Sequence, residues 1–253
     1  MKLEQRFGLF TALVLALSAG TGTGNAVKAQ EAPTAARSEA PIDLTVSEGT
    51  SMSVAVSPDG GTLAIDLQGS IWTLPAAGGP AKRITDLFND ARQPAWSPDG
   101  KMIAFFAFRD GGYDLWAISP DGSNQHKLTW GNFDDREPAW SHDGTRLAFA
   151  SDRGDALGSD YNIWVLDLRS GGLQQLTDDP AQDTMPSWSP DDREISFIST
   201  RDSAQSVWAV SVPDGAERRI TDPTIRADAA SWGPGGQIVY HAFAEGQSRL
   251  ELS

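Results

Sequence analysis

The sequence predicts an all-β protein, a β-propeller of four-stranded antiparallel blades, and three observations carry that prediction. A seven-residue motif recurs as Val54–Gly60 (VAVSPDG), Pro94–Gly100 (PAWSPDG), Pro138–Gly144 (PAWSHDG), Pro186–Asp192 (PSWSPDD) and, more weakly, Ala230–Gly236 (ASWGPGG). With Ser57, Ser97, Ser141, Ser189 and Gly233 as markers, the periods are 40, 44, 48 and 44 residues. The variation is confined to one interval. From marker to a following Trp (Trp72, Trp116, Trp164, Trp208) is 15, 19, 23 and 19 residues. From that Trp to a Thr (Thr85, Thr129, Thr177, Thr221) is 13 every time, and from the Thr to the next marker is 12 every time. Two fixed intervals and one variable one describe a repeated scaffold with a single free loop.

The chain opens with Lys2 and Arg6 followed by an apolar run, Phe7–Gly20, and small residues around Val27-Lys28-Ala29. That order reads as a secretory signal peptide over 1–29, cleaved after Ala29. The run is shorter than the roughly 20 residues a bilayer-spanning helix needs. Residues 30–40 (QEAPTAARSEA) read as a flexible leader. The propeller is expected over 41–253, with blades starting near 53, 93, 137, 185 and 229.

Within a repeat, Pro94-Ala95-Trp96 is the first strand. The Ser-Pro-Asp-Gly that follows is a type I turn, with Pro at its second position and Gly where positive φ is wanted. Lys101–Phe106 is the second strand, rich in β-formers. Asp114–Ile118 is the third, alternating in and out. A Gly-containing turn (Asp121-Gly122 in this repeat) leads to a short fourth strand ending Leu128-Thr129. Twelve residues before Ser57 stand Leu44 and Thr45, so 41–46 is in register with a fourth strand. The fifth repeat supplies three strands of its own. The expectation is therefore four complete blades and a partial fifth that strand 41–46 completes, which would remove exposed sheet edges. The rival expectation is a truncated arc of a larger ring.

Composition excludes several functions. There is no cysteine, so no disulfide, thiolate metal site or cysteine nucleophile. The net charge of −14 opposes phosphate backbones and anionic membranes, so neither nucleic acid nor membrane insertion after leader cleavage is expected. Eight of nine tryptophans are locked to the repeat. Trp96, Trp140, Trp188 and Trp232 precede the marker, and Trp72, Trp116, Trp164 and Trp208 sit on third strands. They are expected to be structural core between blades. Trp130 alone stands outside the pattern.

The run Ser-Pro-Asp-Gly, Ile-Ala-Phe, Asp-Leu-Trp, Lys/Arg-Leu/Ile-Thr resembles the WD-like repeat of TolB-like periplasmic β-propellers, over residues 41–253. The opening stretch Glu48–Gly60, with Ile71–Pro75 and Arg83–Thr85, is similar to the N-terminal propeller of secreted amidohydrolase-like proteins. Prolyl-oligopeptidase-type enzymes carry such propellers too. The resemblance implies a periplasmic or secreted location and a protein or peptide partner in the envelope. The enzyme relatives imply a hydrolase domain that these residues do not contain.

No catalytic site and no cofactor is expected. The chain has no His-x-His pair, no Gly-x-Ser-x-Gly elbow and no phosphate loop. His126, His142 and His241 occupy unlike repeat positions and should not converge on a metal. The loops entering each first strand and joining second to third strands should share one face, the propeller mouth. Its candidate binding residues are Asp90, Arg92, Arg109, Asp134, Asp135, Arg136, Arg153, Asp183, Arg201 and Asp228. The alternative for these recurring acids and arginines is that they pair with one another and hold the blade tops. The longest loop, 151–161, is the most individual element. The function expected is that of an exported, non-catalytic binding or scaffold module. The alternatives are the propeller of a larger amidohydrolase- or peptidase-type hydrolase, inactive alone, and a small glycan-active propeller using paired mouth carboxylates.

Overall fold

In the computed structural model the described residues are 2–5, 42–45, 52–86, 90–109, 111–154, 160–201, 205–212, 214–244 and 247–253. None of them is helical. The chain divides into two units, Met1–Glu48 and Gly49–Ser253. The expected leader at 30–40, most of the expected signal peptide and the middle of loop 151–161 lie outside the described residues.

In the first unit, β1 (Lys2–Gln5) pairs antiparallel with β2 (Ile42–Thr45), Lys2 opposite Thr45 and Gln5 opposite Ile42. The expected role of strand 41–46 is therefore corrected. It is not a member of the fifth blade's sheet. An edge strand pairs with an edge that is offered, and Lys2–Gln5 offers one.

The second unit holds five antiparallel sheets, the blades of a propeller. Blade 1 is β3 (Val54–Val56), β4 (Thr62–Leu67), β5 (Ser70–Pro75) and β6 (Lys82–Arg83). Blade 2 is β7 (Ala91–Trp96), β8 (Ile103–Arg109), β9 (Gly112–Ile118) and β10 (His126–Lys127). Blade 3 is β11 (Asp135–Trp140), β12 (Arg146–Ser151), β13 (Asn162–Asp167) and β14 (Leu173–Gln175). Blade 4 is β15 (Asp183–Trp188), β16 (Glu194–Ser199), β17 (Ser206–Ser211) and β18 (Glu217–Arg219). Blade 5 is β19 (Arg226–Trp232), β20 (Ile238–Ala244) and β21 (Gln247–Leu252), three strands among the described residues.

Four cores fill the four junctions between consecutive blades. Ile71 and Ile84 meet Ile103 and Phe105 between blades 1 and 2. Phe106 and Leu115 meet Leu147 and Phe149 between blades 2 and 3. Ile163 and Val165 meet Ile195 and Phe197 between blades 3 and 4. Ile198 and Val207 meet Ile238 and Tyr240 between blades 4 and 5. Phe105, Phe149 and Phe197 are fully buried at one repeat position, each contributing about 2–3 kcal/mol of apolar burial. At the ends of the series, Val54, Val56, Leu250 and Leu252 are exposed.

In blades 2–4 the two repeat-locked tryptophans pack at one junction, Trp96 with Trp116, Trp140 with Trp164 and Trp188 with Trp208, and Trp232 packs at the last. The first-strand indoles also donate across these junctions. Trp96 Nε1 bonds the Ala55 carbonyl at 3.2 Å, Trp140 the Ala95 carbonyl at 3.1 Å and Trp188 the Ala139 carbonyl at 3.0 Å. The ladder ends at blade 5, where Trp232 Nε1 is buried without an acceptor.

The fixed 13-residue interval has an equally local cause. Thr85, Thr129, Thr177 and Thr221 are buried, and each hydroxyl accepts the amide of the residue just before its third-strand Trp: Ile71, Leu115, Ile163 and Val207, at 2.8–3.1 Å. The turn motif is likewise built by its side chains. The marker serine donates to the turn aspartate (Ser57 to Asp59, Ser97 to Asp99, Ser141 to Asp143, Ser189 to Asp191) at 2.6–2.8 Å. Gly60, Gly100, Gly144 and Gly236 take φ between 69° and 80°, and Asp192 takes 57° in the blade that departs from Gly.

Every first strand from blade 2 onward bulges. Pairing slips between Arg92 and Ala95, Arg136 and Ala139, Thr184 and Ser187, and Asp228 and Ser231. Gln93, Glu137, Met185 and Ala229 sit there with φ of 48–58°. In blades 2–4 a proline follows, which has no N–H for a ladder and favours a bulge. The bulge amide finds a carboxylate on the preceding blade instead: Asp66 receives Gln93 N–H at 2.8 Å, and Glu137 receives Met185 N–H at 2.6 Å.

Candidate functional site

The ladder registers place the start of each first strand beside the end of the second, Ala91 opposite Ala107 and Asp135 opposite Ser151. The loops entering first strands and those joining second to third strands therefore share the mouth face. The Ser-Pro-Asp-Gly turns lie on the other.

The ten sequence-derived candidates separate into two sets. Asp135 is fully buried and accepts Ser151 Oγ at 2.6 Å and Arg153 Nε at 3.0 Å, with Arg153 Nη2 on its second oxygen. Asp183 is likewise buried and holds Arg201 at 2.7 Å; Arg201 also bonds Ser199 and Glu217 and covers the Trp208 ring at 4.5 Å. Burial pushes the Asp183 carboxyl up, and Arg201 works against that. Asp135, Arg153, Asp183 and Arg201 are thus internal ion pairs at equivalent places in blades 3 and 4. They support the mouth and do not face it, which corrects their reading as contact residues. The reason is local: at these positions blades 2 and 5 carry Ala91 and Ala227, so the site lies inside the sheet whatever occupies it.

The second set gathers over blades 2 and 3. Asp90 bonds Arg92 at 3.3 Å and accepts the Tyr113 hydroxyl at 3.0 Å. Asp134 accepts the Tyr113 amide at 3.1 Å on one oxygen, and Arg136 at 2.7 Å and the Tyr161 hydroxyl at 3.4 Å on the other. The Arg136 guanidinium lies between two rings, 4.5 Å from Tyr113 and 5.4 Å from Tyr161. Burial pushes the Tyr161 phenol up to about 12 and raises Tyr113 as well, so both stay protonated donors. Asp152, its carboxyl pushed up by burial, receives the Asp134 amide at 2.8 Å. Arg109 meets Asp86 at 3.4 Å and lies over Trp116. Asp228 stands apart on blade 5.

Tyr113 and Tyr161 were not among the sequence candidates, yet a signal existed. Both stand three residues before a third-strand Trp, where blade 1 has Gly69 and blade 4 has Gln205. Chemically, the cluster is a closed network. Its carboxylates are consumed by guanidinium, phenol and amide donors, which suits rigid presentation better than proton transfer.

The three histidines have separate partners: Asn124 carbonyl for His126, Asp192 for His142, and Asp228 at 3.0 Å for His241. His241 also contacts Ser248. The order Ser248–His241–Asp228 is that of a serine-hydrolase relay. The serine, however, is the second residue of a regular strand, not held on a strained turn. Among the described residues no three His, Asp or Glu side chains form a metal-binding group.

A blade-repeated, all-β array with a polar mouth defines a β-propeller repeat protein. More narrowly, the family model for the TolB β-propeller domain matches residues 34–157 and 136–252, and the chain belongs to that family. A 34-residue stretch, 13% of this chain, is 50% identical to the Tol-Pal system protein TolB of Syntrophus aciditrophicus and spans 8% of that protein. Among solved structures, a protein assigned as TolB from Agrobacterium tumefaciens superposes with a TM-score of 0.70 at 24% identity, covering 79% of this chain and 75% of that one. Oligogalacturonate lyase from Vibrio parahaemolyticus gives 0.58 at 19%, covering 78% and 60%. A puromycin hydrolase gives 0.61 at 17%, covering 84% of this chain but 37% of the enzyme. At these identities the superpositions show the fold alone.

Proposed function

We propose that this chain is an exported, non-catalytic propeller that binds a protein partner in the cell envelope through its mouth. The supporting observation is the closed Asp–Arg–Tyr network of blades 2 and 3, which breaks the repeat symmetry without leaving an uncommitted acid–base pair. The buried threonines, a structural device, recur in blades 1–4, whereas this cluster is confined to blades 2 and 3. Membership of the TolB propeller family supports an envelope location and a protein partner, and the signal peptide read over 1–29 is proposed to direct export. The contact residues proposed are Asp90, Arg92, Arg109, Asp134 and Arg136, with Asp228 at the periphery.

The test is direct. The full-length gene is expressed in its source cells, the envelope is fractionated and intact cells are cross-linked with formaldehyde. Envelope location and a discrete cross-linked protein are expected. Cytoplasmic retention, or turnover of oligogalacturonate or peptide substrates by the purified chain, would overturn the reading. A second reading, the propeller part of a larger hydrolase, is favoured by the 37% coverage of the puromycin hydrolase. An in-frame hydrolase domain following Ser253 in the genomic DNA would establish it.

A further inference from the structure

Blade 5 ends in a strand that is bonded on one side. Among the described residues its sheet stops at β21, whereas blades 1–4 each carry a fourth strand outside the third. The ladder to β20 fixes which backbone groups of β21 are left over. Ser253 and Ile238 exchange both N–H···O bonds, at 3.0 Å each way. Doubly bonded pairs alternate with unbonded ones in an antiparallel ladder, so Glu251 and Arg249 also bond inward, opposite Tyr240 and Ala242. Ser248, Leu250 and Leu252 therefore turn their N–H and C=O groups to the open edge. Their side chains share one face of the sheet, where Leu250 is 75% and Leu252 69% exposed. Such an edge is a template for a further strand.

The side chains of β21 select that strand, because β21 is complementary to itself. An antiparallel copy centred on Leu250 sets Leu250 opposite Leu250 and Ser248 opposite Leu252. Those are the residues with outward backbone groups in both copies, so every outward N–H meets an outward C=O. The same register sets Arg249 opposite Glu251 on both sides of the centre, in the unbonded pairs where side chains approach most closely. Moving the centre to residue 249 or 251 sets Arg249 against Arg249, or Glu251 against Glu251, and like charges directly opposite are destabilising. A centre between residues sets outward groups against inward ones and forms no ladder.

The charges are held ready for this crossing. Glu251 accepts the Tyr240 hydroxyl at 2.8 Å on one oxygen and Arg249 Nε at 2.5 Å on the other. Each carboxylate oxygen keeps a lone pair for the arginine of a second copy. On the other face, the exposed leucines of the two copies cover one another, and Asp228 behind them is paired with His241. The chain carries −14, which resists self-association at long range, but Gln247–Leu252 holds one Arg and one Glu and is locally neutral. Ile42–Thr45, a second strand of suitable length, is paired with Lys2–Gln5.

We propose that two copies of this chain pair edge to edge through β21, antiparallel about a twofold axis at Leu250, joining their fifth blades into one sheet. An isologous contact of this kind closes at two copies, and a single strand edge makes it a weak, micromolar dimer. It lies apart from the mouth cluster and does not rest on the binding reading. The chain has no cysteine, so introduced cysteines report the register directly. Full-length variants are expressed in their source cells, and intact cells are oxidised with copper-phenanthroline. Leu250→Cys should give a product of twice the chain mass on a non-reducing gel, because a doubly bonded pair holds its Cα atoms about 5.5 Å apart, within disulfide reach. Leu252→Cys, on the same edge but roughly 13 Å along it from its own copy, should give none, nor should Leu173→Cys on β14. Ser248→Cys combined with Leu252→Cys should restore the product. In sedimentation equilibrium of the purified full chain, Arg249→Glu and Glu251→Arg should each weaken the dimer about tenfold or more, and the two together should recover it. Equal cross-linking from positions 250, 252 and 173, or a monomeric mass throughout the micromolar range, would overturn the proposal. So would an intrachain link between Leu44→Cys and Leu250→Cys in place of the dimer, since the edge would then be covered from within the chain.

Discussion

Asp192 offers a test in which the repeat and the tertiary structure predict opposite signs. Gly60, Gly100, Gly144 and Gly236 occupy this turn position in the other blades, and Asp192 adopts the same left-handed backbone with φ of 57°. By repeat logic Asp192→Gly removes strain and should stabilise by about 1 kcal/mol. The structure shows what the aspartate does instead. Its carboxylate reaches back to blade 3, accepting the His142 amide at 2.7 Å, His142 Nδ1 at 3.0 Å and the Asp143 amide at 2.9 Å. Arg146 adds a bond to the Asp192 carbonyl and lies 4.6 Å over the Trp188 ring. Hydrogen bonds to a charged acceptor are worth about 1.5–3 kcal/mol when buried; with His142 half-exposed, about 1 kcal/mol each is a fair discount. Three such bonds less the relieved strain leave a net loss of about 1–2 kcal/mol, a fall in Tm of roughly 2–8 °C for a domain of this size. Urea titration of wild type and Asp192→Gly measures it, with His142→Ala closing a double-mutant cycle. A neutral or stabilised Asp192→Gly would refute the inter-blade lock.

Thr177→Val keeps the shape of a fully buried side chain but removes the acceptor of the Ile163 amide at 2.9 Å, so it should cost about 1–3 kcal/mol in urea unfolding, with Thr177→Ser largely retaining stability. The turn carboxylates Asp59, Asp99, Asp143 and Asp191 all sit below the ordinary range, chiefly through their serine hydroxyls, with Asp99 and Asp143 held down to about 2. Depressed folded-state values stabilise above the ordinary carboxylate range, near pH 4, and that stability is lost as pH falls toward 2. The urea midpoint should therefore drop across pH 4 to 2, and Ser97→Ala with Ser141→Ala should flatten the drop. Despite the Ser248–His241–Asp228 order, p-nitrophenyl ester hydrolysis should not change on Ser248→Ala; a clear loss of turnover would make the relay catalytic.

The amino-acid order alone determined the blade. Its constant 13- and 12-residue intervals are a hydroxyl-to-amide bond and a strand-to-strand passage of fixed length, both local enough to leave a period in the sequence. The tryptophans announced a core for the same reason, since each is repeated with the strand that carries it. The mouth was legible only in part. Asp90, Arg92, Asp134 and Arg136 could be read from loop position. That Asp135 and Asp183 turn inward, while their neighbours face outward, depends on the pleat at the start of each first strand. Tyr113 and Tyr161 were visible only as a departure from the repeat, because their role is to clamp an arginine from another strand. Tertiary structure alone decided which departures matter: the Asp192 carboxylate that crosses to blade 3, and the Arg153 guanidinium that fixes the loop beneath Trp130. Both act between segments brought together by packing one blade on the next, and contacts made across such a junction leave no spacing in the chain to be read.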